Sequence, residues 1–368
     1  MVERVRVPFP VVVAACLLIA SSLAALVVYW RRGGGEASSP GIRGVKLLLE
    51  GEDLEDKVRA YLKSLRSVEA LLGVRVDQVW FKVEQYSLRY PSDLFPGDVA
   101  EDVASSPGYV DLLVSECSRD NRSIVFHFHG PQLIWTRARY GARIYSNHPE
   151  FEWVIKGGFA YANISSPSVL EYYEAVASEV VEKYARSGDV LFFDTVQLKY
   201  YEYARLRGED CSFDEALRVE ERFIKALRDA IRAAAQRSGK RVYVSFLVHY
   251  LTVAQDDVYP WETPGLEELE AGRDQLYANY SDVIVAELVA EKAKELLDRN
   301  LVEKYVNHLK ALARGKDIII HLSVSGRPTK LTRDEYLTLA KTLKSMGVKG
   351  IVVSYFNPSD DSIYALEP

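Results

Sequence analysis

A chain of 368 residues can hold one large domain or two ordinary ones. Its 48% hydrophobic and 27% charged content exclude a disordered protein, and a net charge of −6 with a pI near 5.7 argues against a general nucleic-acid binder. Lys, Arg and Glu outnumber Asn and Gln, a thermophile-like bias.

Residues 7–30 (VPFPVVVAACLLIASSLAALVVYW) carry no charge and are long enough to cross a bilayer as one helix. Arg4 and Arg6 before this run nearly balance Arg31 and Arg32 after it, so charge does not set its orientation. Residues 1–32 are expected to form an uncleaved signal anchor, in preference to a cleaved signal peptide or a lipoprotein box at Cys16. Residues 33–44 (GGGEASSPGIRG) read as a flexible linker, and residues 45–368 as one domain. The expected location is a single-pass attachment to the cell membrane, with the domain extracytoplasmic. N-x-S sequons at Asn121, Asn163 and Asn279 are compatible with that side. Cys117 and Cys211 have no metal-ligand spacing and are candidates for a disulfide outside the cell.

Beyond the linker, short β-rich apolar runs alternate with helical patterns. The runs are 77–84, 123–129, 159–163, 189–194, 241–250, 282–287, 316–323 and 348–356; the helical patterns are 52–72, 98–118, 167–186, 213–238, 265–280, 291–314 and 332–346. Pro167 and Asp214 mark helix starts, while Gly188, Gly239, Gly315 and Gly347 punctuate helix ends. Eight near-continuous apolar strands alternating with helices predict a (β/α)8 TIM barrel, preceded by the single transmembrane helix. A doubly wound open sheet is disfavoured because no Gly-rich phosphate loop follows an early strand.

Catalytic groups of such barrels project from the carboxyl ends of the strands. In order, the expected ends are Glu84-Gln85-Tyr86, His127-Phe128-His129, Tyr161-Ala162-Asn163, Asp194, His249-Tyr250, Glu287, His321-Leu322-Ser323 and Ser354-Tyr355-Phe356. Polar or aromatic residues after nearly every apolar run predict a polar, aromatic-lined pocket. Asp194 is read as a catalytic acid in competition with a helix cap, and Glu287 in competition with the start of a solvated helix. Together they supply what glycosidic hydrolysis needs, a nucleophile or base and a proton donor. Glu84 is a third acid at the same end. His127 and His129, two apart on a strand, face the same way. With His249 and His321 they resemble the metal site of barrel amidohydrolases, but H-x-H lies on the wrong strand and the last strand offers no Asp. The histidines are therefore expected to bind hydroxyls or to hold the acids. The long stretch 130–158, with Trp135, Tyr140, Tyr145 and Trp153 among three arginines, is expected to form a lid or a wall of a saccharide cleft.

The block FAYANISSPSVLEYYEAVASEVVEKY (159–184), the fourth-strand segment GDVLFFDT (188–195) and the later SDVIVAEL (281–288) resemble glycoside hydrolase family 114, the endo-α-1,4-polygalactosaminidase-like barrels. The family's usual DG before the fourth strand is GD here, at Gly188-Asp189. The resemblance implies Asp194 as nucleophile and Glu287 as general acid/base, with retention of configuration. The expected function is thus a membrane-anchored glycoside hydrolase acting on a carbohydrate polymer, an amino-sugar polymer in particular, without cofactor or metal. Expected substrate contacts are Glu84, Tyr86, His127, His129, Trp135, Tyr161, Asn163, His249, Tyr250, His321 and Tyr355. The competing readings are a noncatalytic saccharide-binding barrel at the cell surface and, third, a metal-dependent barrel hydrolase.

Overall fold

The structure, a computed structural model, describes residues 42–47, 49–72, 75–135, 141–156, 158–194, 198–252, 267–289, 297–323, 333–353, 356–357 and 362–363. The expected anchor, most of the linker, and Tyr140 and Tyr355 lie outside these residues. Among the described residues, no helix is long and apolar enough to cross a membrane.

Eight parallel strands form the barrel: β1 (Ile42–Leu47), β2 (Gln78–Gln85), β3 (Ser123–Phe128), β4 (Val190–Phe193), β5 (Tyr243–Thr252), β6 (Ile284–Val289), β7 (Ile318–Ser323) and β8 (Gly350–Val353); the two-residue strand Ser87–Leu88 adds an antiparallel ninth beside β2. Each barrel strand pairs in parallel with the next. β8 pairs back onto β1, with Gly44 opposite Val352, so the sheet closes on itself as an α/β barrel. Seven long helices follow successive strands: α1 (Leu54–Leu72), α2 (Tyr109–Arg119), α3 (Pro167–Lys183), α4 (Phe213–Arg237), α5 (Glu267–Tyr280), α6 (Arg299–Ala313) and α7 (Arg333–Ser345).

Local chemistry explains the helix ends. Pro167 opens α3, where its missing N–H costs nothing. Ser212 caps α4 by accepting from Glu215 N at 3.2 Å, and the Asp298 carboxylate accepts from Asn300 N and Leu301 N at the start of α6. The helix expected over 98–118 is split, because Pro107-Gly108 separates the short helix Glu101–Ala104 from α2. Strand alternation divides the apolar side chains in two. Trp80, Val125, Phe192, Leu247, Val285, Ile319 and Val352 fill the barrel. Their neighbours, such as Phe81, Phe126, Phe193 and Phe246, pack outward under the helices.

One of the eight expected strands leaves the barrel, and one strand outside the eight joins it. The barrel begins with β1, which starts at Ile42 inside the segment read as linker. The expected third strand does not join the barrel: Phe159–Ala162 is the middle strand of a separate antiparallel sheet, flanked by Gln132–Trp135 and Glu152–Lys156. The described residues of the stretch 130–158 thus form an insertion after β3 with strands of its own. One strand gained and one lost cancel in the count, so Asp194 still follows the fourth strand and Glu287 lies on the sixth. β1 resembles a linker because of Gly44, yet the barrel requires glycine there. A Cβ at position 44 would stand 2.5 Å from Nε1 of Trp80, whose indole crosses the barrel interior.

Buried charge networks attach the loops around the barrel. Arg89 grips both oxygens of Asp102 at 2.8 and 2.7 Å and donates to Leu49 O at 2.7 Å, joining the loops after β1 and β2. Arg273 on α5 pairs with Glu220 on α4 and with Glu202 of the short helix Tyr200–Leu206. Cys117 and Cys211, candidates for a disulfide, are both buried free thiols.

Candidate active site

The site is assembled at the carboxyl end of the barrel from two neighbouring strand pairs. On β3, alternation sends Val125 and His127 into the barrel, with His129 following on the same side. Asp194 N donates to Phe128 O at 2.9 Å, extending the β3–β4 ladder one step past Phe193. This step brings Asp194 beside His129, with Oδ2 3.8 Å from Nδ1. Across the barrel, the β6–β7 register places Glu287 opposite His321, with Oε1 3.5 Å from Nδ1. Both separations are longer than a close hydrogen bond. Asp194 and Glu287 keep 15% and 12% of their side chains exposed, while His321 keeps only 3%. Both acids thus keep some contact with solvent, while His321 is closed off.

Trp80 forms the floor between the two couples. Its indole stacks on His321 at 6.1 Å and 20°, and meets His127 edge-on at 6.3 Å. Phe192 packs against both Trp80 and His127, at 5.0 and 5.1 Å. Reading strand ends alone missed Trp80 and Lys82, although both sit at inward positions of DQVWFKVE and the period-2 pattern would have placed them with Gln78. Lys82 is the register partner of His127.

Glu84 has a different part. A register shift between Lys82 and Glu84 sets it opposite Phe128, in the outward layer. It is wholly buried; its Oε1 accepts from Gly130 N at 3.0 Å, while the Tyr173 hydroxyl on α3 donates to Gly130 O at 3.0 Å. Burial pushes the Glu84 carboxyl up to about 8, and the charge of Asp194 acts in the same direction. Glu84 therefore supports the turn after β3, where Gly130 takes a φ of 94°, and does not face the cleft as expected. Tyr86 holds a left-handed φ of 62° and sets its ring edge-on to His129 at 6.4 Å. A tyrosine in that conformation costs on the order of 1–3 kcal/mol, which the surrounding packing must offset.

The remaining expected contacts divide between structural roles and positions left open. Tyr161 stacks on Tyr203 at 4.4 Å in a buried cluster with Trp153, joining the inserted sheet to the helix after β4. Asn163 Oδ1 accepts from Ser165 N at 2.9 Å and Ser165 Oγ at 2.7 Å, closing the turn before α3. Both residues thus have packing or turn roles. Backbone register sets Tyr250 opposite Glu287 and His249 opposite Ala286. Trp135 ends the strand Gln132–Trp135. The side chains of these three lie outside the described set, as does Tyr355 entirely. A cavity of about 250 Å³ lies at the opposite, amino-terminal end of the barrel, lined by Gln78, Ser123, Tyr243, Asp282 and Asp317 with Trp80 above. Active sites of this fold lie at the other face, where the two acids are.

No protein-family model matches the chain, and no curated protein matches its sequence. Solved structures do match in fold. The hyperthermostable endo-1,4-β-D-mannanase of Thermotoga petrophila RKU-1 aligns with a TM-score of 0.50 at 9% identity, over 86% of this chain and 87% of that one. The glycoside hydrolase domain of PelA from Pseudomonas aeruginosa aligns at 0.42 and 12% identity, over 86% and 95%. Aspergillus fumigatus Ega3, solved with galactosamine, aligns at 0.42 and 10%, over 86% and 92%. At these identities the likeness is one of fold, and it transfers no residue role.

Proposed function

We propose that the protein is a membrane-anchored glycoside hydrolase that cleaves a polysaccharide, with Asp194 as nucleophile and Glu287 as general acid/base. One observation carries the proposal. Carboxylates on the fourth and sixth barrel strands stand at the carboxyl-terminal mouth, each beside a histidine and over the shared Trp80 floor. Glycosidic hydrolysis requires two carboxyl groups, one ionised to attack or stabilise the anomeric carbon and one protonated to release the leaving oxygen. Burial keeps Glu84 neutral at pH 7, so Asp194 does not face a second full negative charge behind it. An ionised Asp194 suits the nucleophile, and retention follows if the two groups work as a covalent pair. The likeness of residues 159–195 and 281–288 to glycoside hydrolase family 114 supports the pairing and favours an amino-sugar polymer as substrate. The uncharged run at 7–30 supports the anchor.

A screen of neutral, acidic and amino-sugar polysaccharides with the detergent-purified full chain tests this reading. Asp194→Asn and Glu287→Gln should each lower the rate by about 10²-fold or more while leaving the circular dichroism unchanged. Cleavage at the wild-type rate by both variants would remove these residues from the mechanism. Deleting residues 1–32 should move the protein from the membrane fraction to the soluble one.

A further inference from the structure

We propose that His127, His129 and Asp194 form a binding site for a borderline divalent transition metal of the Zn²⁺ class. The nitrogen or oxygen that each offers lies within 4.8 Å of the other two. Strand geometry produces this arrangement. His127 on β3 and His129 just past its end project to one side, and the extra β3–β4 ladder bond from Asp194 N to Phe128 O sets the carboxylate against them. Zn²⁺ takes imidazole nitrogen at about 2.0–2.1 Å and carboxylate oxygen at about 2.0–2.2 Å, so the donors need to draw together by roughly an ångström. Side-chain rotation of His129, which is only partly buried, supplies that movement.

The donor set defines the metal class. Two imidazoles and one carboxylate favour Zn²⁺, Co²⁺, Ni²⁺ or Cu²⁺ over Mg²⁺ and Ca²⁺, which prefer all-oxygen shells. Three protein ligands leave a fourth position open toward the mouth, the arrangement of an exchangeable rather than a closed structural site. Trp80 and Phe192 press on His127 from below and limit its movement. The neighbours of the site bring no second full negative charge to it. Glu84 lies behind Asp194, and Lys82 is in register with His127 on the adjacent strand. Metal occupancy would engage the carboxylate that the proposed hydrolysis uses. Added Zn²⁺ should therefore inhibit turnover. The binding claim itself stands independently of the glycosidase reading.

The test uses full-length protein freed of metal by a chelator, then titrated with Zn²⁺ by calorimetry and with Co²⁺ by visible absorption. Expected are about one Zn²⁺ per chain and intense Co²⁺ d–d bands of low coordination number. His127→Gln, His129→Gln and Asp194→Asn should each weaken Zn²⁺ binding by at least about tenfold. Glu287→Gln should bind Zn²⁺ as the wild type does. That separates the two proposals, since this variant tests hydrolysis without touching the metal ligands. Circular dichroism identifies a variant that fails to fold, and the wild-type Co²⁺ spectrum then decides alone. Absence of Zn²⁺ binding, binding unaffected by the His127 and His129 substitutions, or Mg²⁺ binding as tight as Zn²⁺ would overturn the site.

Discussion

Replacing Glu84 by glutamine isolates one buried carboxyl group whose proton the fold retains. Glu84 is wholly enclosed, and burial raises its carboxyl from the ordinary 4.5 to about 8. The native state therefore keeps a proton that the unfolded chain releases between those two values. Stability is unaffected by this group below about pH 4.5, falls as pH rises through the window, and is fully reduced above about 8. At 1.36 kcal/mol per pH unit, the loss amounts to roughly 5 kcal/mol. Glutamine matches the protonated acid in shape, and its amide oxygen can accept from Gly130 N as Oε1 does. The two proteins should then be equally stable near pH 4.5, with the variant gaining by several kcal/mol at pH 9. Urea unfolding of both, followed by tryptophan fluorescence at intervals across this range, measures the difference. A chelator in every buffer keeps metal out of the comparison. Titrations common to both proteins cancel. A difference that stays constant with pH would show that Glu84 ionises normally, and the buried-support role would fail with it.

Gly44→Ala should destabilise the barrel by about 1–3 kcal/mol, because the new methyl meets Nε1 and Cδ1 of Trp80. Adding Trp80→Phe should relieve part of that cost, and additive unfolding energies in the double variant would refute the contact. Arg273→Met leaves Glu202 and Glu220 facing each other without their cation, so denaturant unfolding should register a loss of about 3–5 kcal/mol. Burial pushes the Cys117 thiol up to about 12, so iodoacetamide should leave it unmodified in the folded protein and alkylate it after denaturation, as read by mass spectrometry. Labelling of Cys117 at a free-thiol rate under native conditions would contradict its packing on α2.

Much of the architecture is legible in the sequence. The apolar runs ending at Asp194 and Glu287 are strands because parallel barrel strands are covered on both faces and need continuous apolar sequence. Gly188, Gly239, Gly315 and Gly347 take φ values of 99°, 66°, 89° and 83° after the helices they were expected to end. The same reasoning erred at 159–163 and at β1. Four or five apolar residues carry no information about which strand lies beside them, and an antiparallel insertion reads like a barrel strand. Gly44 suggests a linker until the Trp80 indole is seen occupying the space a side chain would need.

The sequence by itself determined that one apolar strand runs into Asp194 and another carries Glu287, because side-chain period is a local property of the chain; their places as fourth and sixth came out right only because one missed strand and one misplaced strand cancel. Only the tertiary structure decided what each acid meets. The β6–β7 register sets Glu287 against His321, and the β3–β4 ladder draws Asp194 to His129 and His127. A one-residue register shift takes Glu84 out of the cleft and buries it. Such partnerships join residues tens of positions apart, and they follow from barrel closure and hydrogen-bond register, which no local pattern encodes.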